Sequence, residues 1–394
     1  MTAPILRFKD QGRSYPDWVE KKLKDCVTFS KGGSLSKSDL SPHGATPCLL
    51  YGELYTTYGE VTKAVINKTD STEDLVKSQM NDVILPMSGE TAEDIAKATC
   101  IKQEGVAYGG DLMVLRSKSL DGCFLSYSLN SVNRRQISRI AQGKTVVHIN
   151  PSRVSDISIN IACLEEQQKI AAFFTSLDEK IRLSEQKLNL ISKLKNGILQ
   201  KIFAQELRFQ SYNKPWKEKN TLSQIAVVTM GQSPSSESYN EDSEGLPLIQ
   251  GNADIVDGFT KPQRYTTEVT KRCQEGDVIL SVRAPVGELG IASEESCIGR
   301  GVCAIRANDK SNTVFIYQFL QAKKKQWKTL EQGSTFTAVS GEDIKTFEVL
   351  VPTKEEQQKI AAFFTSFDKK IDIEKKKLNE LHRLKTAFMQ QMFV

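Results

Sequence analysis

The sequence is poor in the residues that metal sites and disulfide frameworks require. Histidine occurs only three times in 394 residues, at His43, His148 and His382. The eight cysteines are scattered without a Cys-x-x-Cys pair, which counts against both a zinc site and a disulfide framework. We therefore predict no metal site, and we expect most of the thiols to be small residues of the core.

The chain also lacks a long apolar run. No stretch approaches the roughly 18 apolar residues of a membrane-spanning helix, and residues 1–10 lack the apolar centre of a secretory signal peptide. We therefore expect a cytoplasmic protein with no membrane partner. Charged residues make up 26% and hydrophobic residues 39% of the sequence, which is typical of a globular protein with room for two or three domains.

Signatures of catalysis are missing as well. The sequence has no Asn/Asp-Pro-Pro-Tyr/Phe motif of the kind found in amino-methyltransferases and no glycine-rich cofactor loop. Gly143, Lys144 and Thr145 imitate the end of a phosphate-binding loop, but Ser138 stands where that motif requires glycine. We predict no catalytic residue in this chain.

The dominant feature of the sequence is an internal repeat. The twelve residues 165–176 return unchanged as residues 355–366, 190 positions later. The same offset of 190 holds after the identical stretch ends, since Asp178 matches Asp368 and the Lys-Leu-Asn triplet at 187–189 matches that at 377–379. Twelve consecutive identities indicate a duplication.

Each copy has the heptad pattern of a long amphipathic helix that packs on another helix. The a and d positions of the first copy are Ile170, Phe174, Leu177, Ile181, Ser184, Leu188, Ile191, Lys195, Ile198 and Ile202, and those of the second are Ile360, Phe364, Phe367, Ile371, Glu374, Leu378, Leu381, Lys385, Phe388 and Met392. The polar breaks fall at the same two places in both copies. Neither run contains proline, and Gly197 is the only glycine. We predict two helices, each about 60 Å long, that pack on each other in antiparallel orientation.

The duplication extends to the regions between the helices. A leading segment with Arg7 and Trp18 matches one with Arg208 and Trp216, and residues 82–85 match residues 277–280. Short β-rich segments punctuated by glycine predict a mixed α+β domain before each helix. The predicted segments are a domain with its leading segment at 1–163, a helix at 164–206, a second such domain at 207–353 and a second helix at 354–394.

The predicted order of domain, helix, domain and helix generates a pseudo-two-fold molecule. If the helices pack antiparallel, the C-terminus returns to the first domain, and two related domains lie at opposite ends of a spacer. Such a molecule suits a long, nearly two-fold ligand, for which duplex DNA is the obvious candidate. The formal net charge of +5 is modest. DNA binding would therefore require that the charge lie on one face or that a partner supply the remainder.

The repeat, the tryptophan-containing leading segments and the Gln-Gly-x-Thr turns at 142–145 and 332–335 together resemble the specificity (S) subunits of type I restriction-modification systems. The resemblance covers nearly the whole chain. It implies two target recognition domains, each of which recognises one half of a bipartite sequence in double-stranded DNA. It also implies that the two helical regions set the spacing and bind two methyltransferase (M) subunits.

The same resemblance implies a division of labour among the subunits. In that family the S subunit does no chemistry. The M subunits use S-adenosylmethionine to methylate adenine N6, and the restriction (R) subunits hydrolyse ATP, translocate DNA and cut it. We therefore expect no cofactor on this chain, and S-adenosylmethionine, ATP and Mg on the partner subunits.

Candidate DNA-contacting residues are polar and basic side chains on glycine-rich loops, because arginine and lysine recognise guanine and asparagine and glutamine recognise adenine. In the first domain they are Lys31, Ser34, Tyr51, Tyr55, Ser88, Arg134, Arg135 and Lys144. In the second domain they are Gln232, Ser233, Gln250, Asn252, Arg283, Arg300, Ser334 and Thr335. A solvated or structural loop position is the alternative for each, and core packing is the alternative for the tyrosines.

Two phenylalanine pairs are candidates for binding a partner subunit. Neighbouring residues on a helix point about 100° apart, so one partner helix cannot bury both rings of Phe173 and Phe174, or of Phe363 and Phe364. Phe173 and Phe363 either pack on the adjacent domain or form an M-subunit docking surface. Two equal docking surfaces predict two M subunits per chain.

Two other classes of function stay open at this point. The chain could be a structural scaffold whose domains bind protein, or an enzyme with an unrecognised site. Within the favoured class, it could serve a methyltransferase that works without a nuclease.

Overall fold

The computed structural model describes residues 4–73, 75–143, 146–212, 214–216, 218–327 and 338–394. The chain forms two compact units, one of Met1–Glu185 with Lys376–Val394 and the other of Gln186–Lys375. The boundaries fall inside two long helices, Leu164–Phe203 and Lys354–Met392. Each unit therefore contains one α+β domain and half of each long helix. In the described part of the chain, no helix combines the length and the apolar character needed to cross a membrane.

The long helices confirm the heptad prediction. Every predicted a and d position is buried or half-buried. In the first unit the ring of Phe174, near the start of the first long helix, lies 5.8 Å from the ring of Phe393, just beyond the end of the second. In the second unit Phe203 shares a core with Phe364. In both units the beginning of one helix thus meets the end of the other, which is the predicted antiparallel arrangement.

Each long helix has a lysine at one of its a and d positions, which form the seam between the helices, and this lysine forms an ion pair with the opposite helix. Lys195 Nζ lies 2.6 Å from Asp368 Oδ1, and Lys385 Nζ lies 2.7 Å from Asp178 Oδ1. Both lysines and both aspartates are related by the repeat. The seam tolerates a lysine here because its long side chain carries the ammonium to a carboxylate at the seam's edge.

The domain of the first unit contains two principal sheets. The larger runs, in spatial order, through Thr28–Lys31, Leu112–Arg116, Asp82–Pro86, Thr99–Ile101 and Val61–Thr62, and the smaller through Lys68–Thr69, Thr46–Leu49, Ala107–Tyr108 and Val76–Lys77. Additional pairs are Lys9–Asp10 with Arg13–Ser14, Ser88–Gly89 with Val147–His148, and Val19–Lys22 with Ser158–Ile161. The helices are Glu53–Thr56, Ala92–Ile95, Gly122–Asn130, Arg134–Ile140 and Pro151–Ser155, with 3-10 turns at Leu23–Asp25 and Lys37–Asp39.

The domain of the second unit repeats this plan. Its larger sheet runs through Ala226–Met230, Val302–Ala307, Val278–Ser281, Leu289–Ile291, Phe259–Thr260 and Ile255–Val256, and its smaller sheet through Tyr239–Asn240, Arg264–Thr266, Leu246–Ile249, Ser296–Ile298 and Arg272–Cys273. Lys219–Thr221 pairs with Glu348–Leu350. The helices are Leu222–Ile225, Thr313–Ala322 and Gly341–Lys345, with 3-10 turns at Ser236–Ser238 and Asn252–Asp254.

The short β-rich segments that the sequence predicts include residues 82–85 and 277–280, which lie in or overlap the strands Asp82–Pro86 and Val278–Ser281. The segment at 145–149 is a strand only over Val147–His148, and Lys144 and Thr145 lie outside the described residues. Residues 122–140 form two helices, because the backbone of Ser131 leaves the helical region at φ −99° and ψ −111°.

The leading segments anchor each domain to its long helix. Arg7 Nη2 donates to Glu166 Oε2 at 2.7 Å, and this hydrogen bond raises the pKa of Arg7. Arg208 Nη2 donates to Glu356 Oε2 at 2.8 Å in the same way. The N–H of Leu6 also donates to the carbonyl of Gln391 at 3.0 Å. The C-terminal end of the second long helix therefore returns to the first domain, as the repeat predicts.

Candidate nucleic-acid interface

The second domain contains a cleft of about 340 Å³ at the ends of several strands. It brings together candidate residues that lie far apart in the sequence. The lining residues are Ser233, Gln250, Gly251, Asn252, Arg283, Ala284, Arg300 and Gly301. The arginines are exposed and the polar side chains are half-buried, so the cleft presents hydrogen-bond donors to solvent.

Close backbone contacts hold the loops around this cleft together. The N–H of Gly299 donates to the carbonyl of Ile249 at 2.8 Å, and that of Gln232 donates to the carbonyl of Ile298 at 2.9 Å. A Cβ on Gly301 would lie 2.1 Å from the carbonyl oxygen of Gln250. Glycine is required at this position because one loop passes directly over another.

Hydrogen bonds also orient the polar groups of the cleft. The backbone N–H of Arg300 donates to Ser233 Oγ at 3.1 Å, and its Nε lies 3.4 Å from the same oxygen. The carboxylate of Asp254 accepts the N–H of Gln250 at 2.7 Å and that of Gly251 at 3.1 Å. Guanidinium and amide groups in this arrangement can recognise the edges of guanine and adenine.

The first domain has an equivalent place, identified by the same backbone hydrogen bonds. The N–H of Gly109 donates to the carbonyl of Leu49 at 2.9 Å, as Gly299 does to Ile249. The N–H of Met87 donates to the carbonyl of Asp111 at 2.7 Å, as that of Val282 does to the carbonyl of Gly301 at 2.9 Å. Asp111 therefore stands where the second domain has Gly301.

The side chains at this equivalent place differ from those in the second domain. Ser88 pairs with His148 across two strands, whereas Arg283 forms a bridge with Ala338 at the matching position. Ser88 Oγ donates to Asp111 Oδ2 at 3.1 Å and lies 2.9 Å from His148 Nδ1. The first domain thus places a hydroxyl, a carboxylate and an imidazole where the second has Arg283, Gly301 and Ala338.

The other first-domain candidates occupy several surfaces. Lys31 and Ser34 are exposed at the end of the strand Thr28–Lys31. Tyr51 is 37% exposed, and its ring lies 6.4 Å from that of half-buried Tyr55. Partial burial raises the pKa of Tyr55.

Two further arginine candidates lie on a short helix of the first domain. Arg134 and Arg135 are exposed at the start of Arg134–Ile140, and Arg134 Nη2 donates to the carbonyl of Glu93 at 3.2 Å.

The remaining second-domain candidate outside the cleft is Gln232, and three further candidates lie outside the described part of the chain. Gln232 is exposed and its carbonyl accepts from the hydroxyl of Thr270. Lys144, Ser334 and Thr335 lie outside the described residues.

The phenylalanine pairs pack within their own units. Phe174 and Phe364 are fully buried, which leaves their rings no surface for a partner in this structure. Phe173 is half-buried, with its ring 6.0 Å from that of Phe8 and 5.1 Å from that of Phe388. Phe363 is likewise half-buried against Phe209 at 5.6 Å. A docking role for Phe173 and Phe363 stays a prediction.

The thiols behave as core residues. All eight cysteines lie in the described ranges and are free, and six of them are buried. Within the ranges that the structure describes, no group of three or more His, Cys, Asp or Glu side chains is arranged to hold a metal ion.

Sequence reasoning missed two residues of the first-domain site. Asp111 adopts φ of 57°, a left-handed conformation that is uncommon outside glycine. It follows Gly109 and Gly110, and this glycine pair was the available signal. His148 carries no local signal, because its partner Ser88 lies 60 residues away.

Comparison with known proteins identifies relatives along the whole chain. The type I restriction modification DNA specificity domain family matches residues 15–193 and 213–383. A putative type I restriction enzyme MjaX specificity subunit from Methanocaldococcus jannaschii is 27% identical over 393 residues, which cover 95% of this chain and 92% of that protein.

Solved structures share the fold. A type I restriction-modification S subunit from M. genitalium aligns with a TM-score of 0.67 and 18% identity, over 100% of this chain and 99% of that one. A chain from a structure concerned with complex assembly and conformational transition of the type I R-M system aligns with a TM-score of 0.62 and 23% identity, over 96% and 98%.

Proposed function

Since this chain belongs to the family of type I restriction-modification DNA specificity subunits, we propose that its two domains each recognise one half of a bipartite DNA target. The observation that carries the proposal is the pairing of the two domains. Equivalent backbone hydrogen bonds build the same strand-end site in each domain, but the side chains that it presents differ. A DNA target with two different halves requires two domains that place different side chains against the bases, and one fold used twice can provide them.

The long helices are proposed to dock two methyltransferase subunits. Apolar side chains remain exposed on the helices in both units. In the first unit these include Leu183 and Leu384, which are 50% and 38% exposed, and in the second they are Leu190, Leu194 and Ile373, which are 67%, 53% and 61% exposed. Leu183 matches Ile373, and Leu194 matches Leu384, in the repeat. Equivalent apolar patches support two equivalent docking surfaces.

The chemistry of the complex is assigned to the partners. Methyltransferase subunits with S-adenosylmethionine would methylate adenine N6 within the target, and restriction subunits with ATP and Mg would join through them and cut DNA. This chain would supply the recognition and the assembly, in the cytoplasm where the DNA lies. A complex with methyltransferase subunits alone would use the same surfaces.

Methylation mapping tests this proposal directly. The chain is co-expressed with its methyltransferase subunit in a host without DNA methylation, and N6-methyladenine is mapped by single-molecule sequencing. We expect a split motif of two short defined blocks around an unspecified spacer. An assembled, S-adenosylmethionine-binding complex that methylates no motif would contradict the proposal and favour a scaffold whose domains bind protein.

The proposed docking surface is tested separately. Leu190→Asp combined with Leu194→Asp introduces charge at two exposed positions of the second-unit surface. The chain should therefore fold and co-purify with one methyltransferase subunit instead of two, because the first-unit surface is unchanged. Lys193→Asp, which changes an exposed position on the same helix turn, is the matched control. Two bound methyltransferase subunits per chain in both variants would show that this patch is not a docking surface.

A further inference from the structure

Ser88, His148 and Asp111 combine the residue types of a hydrolytic triad, but their connections are those of a recognition site. In a triad the histidine lies between serine and aspartate and removes the serine proton. Here the serine lies between the other two, and its hydroxyl donates to Asp111. Ser88 is also 5% exposed, so its oxygen is not available to attack a substrate.

The single proton of the Ser88 hydroxyl determines what the other two side chains present. A hydroxyl carries one proton, and Ser88 directs it to Asp111 Oδ2. His148 Nδ1, at 2.9 Å from Ser88 Oγ, must therefore be the donor of the second hydrogen bond. In a neutral imidazole this leaves Nε2 as an acceptor. Asp111 and His148 are both exposed, and the acceptor-only group that this arrangement holds in place is the Asp111 carboxylate.

Acceptors select among bases by their exocyclic groups. In the major groove, adenine and cytosine present an amino group, whereas guanine and thymine present a keto oxygen at the corresponding position. A carboxylate accepts a hydrogen bond from the amino group and is repelled by the keto oxygen. The second domain has the opposite chemistry at the equivalent place, because Arg283 can donate to guanine O6 and N7.

We propose that the first domain recognises an amino-bearing base, adenine or cytosine, through the Asp111 carboxylate that Ser88 and His148 hold in place, while Arg283 of the second domain selects guanine in the other half of the target. This inference rests on the proposed function, since it assigns base chemistry to the two half-sites. Ser88 is a positioning residue, and Asp111 is the specificity-determining one. The backbone supports this assignment. Asp111 adopts the left-handed conformation, which is uncommon for a residue other than glycine, and such conformations cluster at functional sites.

The test maps methylation by complexes that contain full-length variants. Asp111→Asn replaces an acceptor-only group with an amide that can also donate, and asparagine tolerates the left-handed backbone. We expect one position of one block to gain guanine and thymine, with the preference for amino-bearing bases falling about 5- to 150-fold. Arg283→Ala should relax a guanine in the other block to a similar extent. Glu104→Gln and Arg264→Ala, at exposed positions of the same domains, are the matched controls.

The outcomes separate this inference from the proposed function. A wild-type complex without a split motif would overturn the proposed function and this inference with it. A split motif that Asp111→Asn leaves unchanged, or an effect of Asp111→Asn and Arg283→Ala on the same block, would overturn the inference alone. If Asp111→Asn does not co-purify with the methyltransferase subunit, Ser88→Ala provides a second measurement. It should relax the same position by a smaller factor, and an unchanged motif would again overturn the inference.

Discussion

Glu166 and Glu356 occupy equivalent positions of the repeat, yet their hydrogen bonds differ. Glu166 Oε2 accepts from Arg7 at 2.7 Å and from the indole of Trp18 at 3.0 Å. Glu356 accepts from Arg208, but the buried indole N–H of Trp216 has no partner among the described residues. The arginine–carboxylate pair is common to both halves, and the tryptophan hydrogen bond is not. The pair is therefore the feature that the duplicated architecture retains for anchoring each domain.

A second pair shows the same retention inside the sheets. Arg116 Nε donates to Asp82 Oδ1 and Arg306 Nε to Asp277 Oδ1, both at 2.7 Å, with a second bond from Nη2 in each case. The positions just beyond the strands Asp82–Pro86 and Val278–Ser281 are not alike, because the first domain has Ser88 where the second has Arg283. The two halves thus share the arginine pairs with buried carboxylates and differ at the strand ends that face solvent.

The largest expected effect comes from removing the arginine anchor. Arg208→Ala leaves the Glu356 carboxylate, which is 4% exposed, buried without its charged partner, and we expect a loss of about 3–5 kcal/mol in the free energy of unfolding. Arg7→Ala should cost less, because Trp18 still donates to Glu166. Urea unfolding at neutral pH measures both values. Equal costs would mean that the Trp18 hydrogen bond contributes nothing.

The lysines of the helical seam offer a second comparison. Lys385 Nζ lies between Asp178 at 2.7 Å and Glu60 at 2.8 Å, whereas the partner of Lys195, Asp368, is 43% exposed. Lys385→Met leaves two half-buried carboxylates facing each other, and we expect a loss of about 2–3 kcal/mol. Lys195→Met should cost less than about 1 kcal/mol because water solvates Asp368. Urea unfolding of both variants tests the difference.

The loss in Lys385→Met should depend on pH. Burial raises the pKa of Asp178, and Lys385 opposes that rise. Without the lysine the pKa of Asp178 rises further. A carboxyl whose folded pKa lies above its unfolded value destabilises the fold while it is ionised, and that penalty disappears as the pH falls through the folded pKa. The difference from wild type should therefore shrink as the pH is lowered from 7, and a constant difference would contradict this explanation.

The strand-end site gives a third, smaller effect. Gly301→Ala places a Cβ 2.1 Å from the carbonyl oxygen of Gln250, so a loop must shift, and we expect a loss of about 1–2 kcal/mol. The first domain accommodates a side chain at this position because Asp111 adopts the left-handed conformation. Gly251→Ala, where an added Cβ meets nothing within 4 Å, is the control. Thermal unfolding that is equal for both variants would show that this close approach is not rigid.

The sequence predicted the parts of the fold that depend on local periodicity. The long helices follow from apolar residues at heptad spacing, and glycines indicated the loops that carry Gln250, Arg283 and Arg300. Strands as short as Val61–Thr62 were not predicted, because pairing with residues far along the chain defines them. The contact of Asp111, Ser88 and His148 was also missed, since it depends on which strand ends meet in space.

The smallest expected effect lies within the repeat itself. Gly197 is exposed in the interior of the first long helix, and an added Cβ meets nothing within 4 Å. The second copy has Ala387 at this position. Glycine costs a helix about 0.5–1 kcal/mol relative to alanine, because more backbone freedom is lost on folding. Gly197→Ala should therefore stabilise the chain by that amount, and Ala387→Gly should destabilise it similarly. Thermal unfolding of both variants tests whether the two helices are energetically as well as geometrically equivalent, and a destabilising Gly197→Ala would show that the first helix needs its glycine.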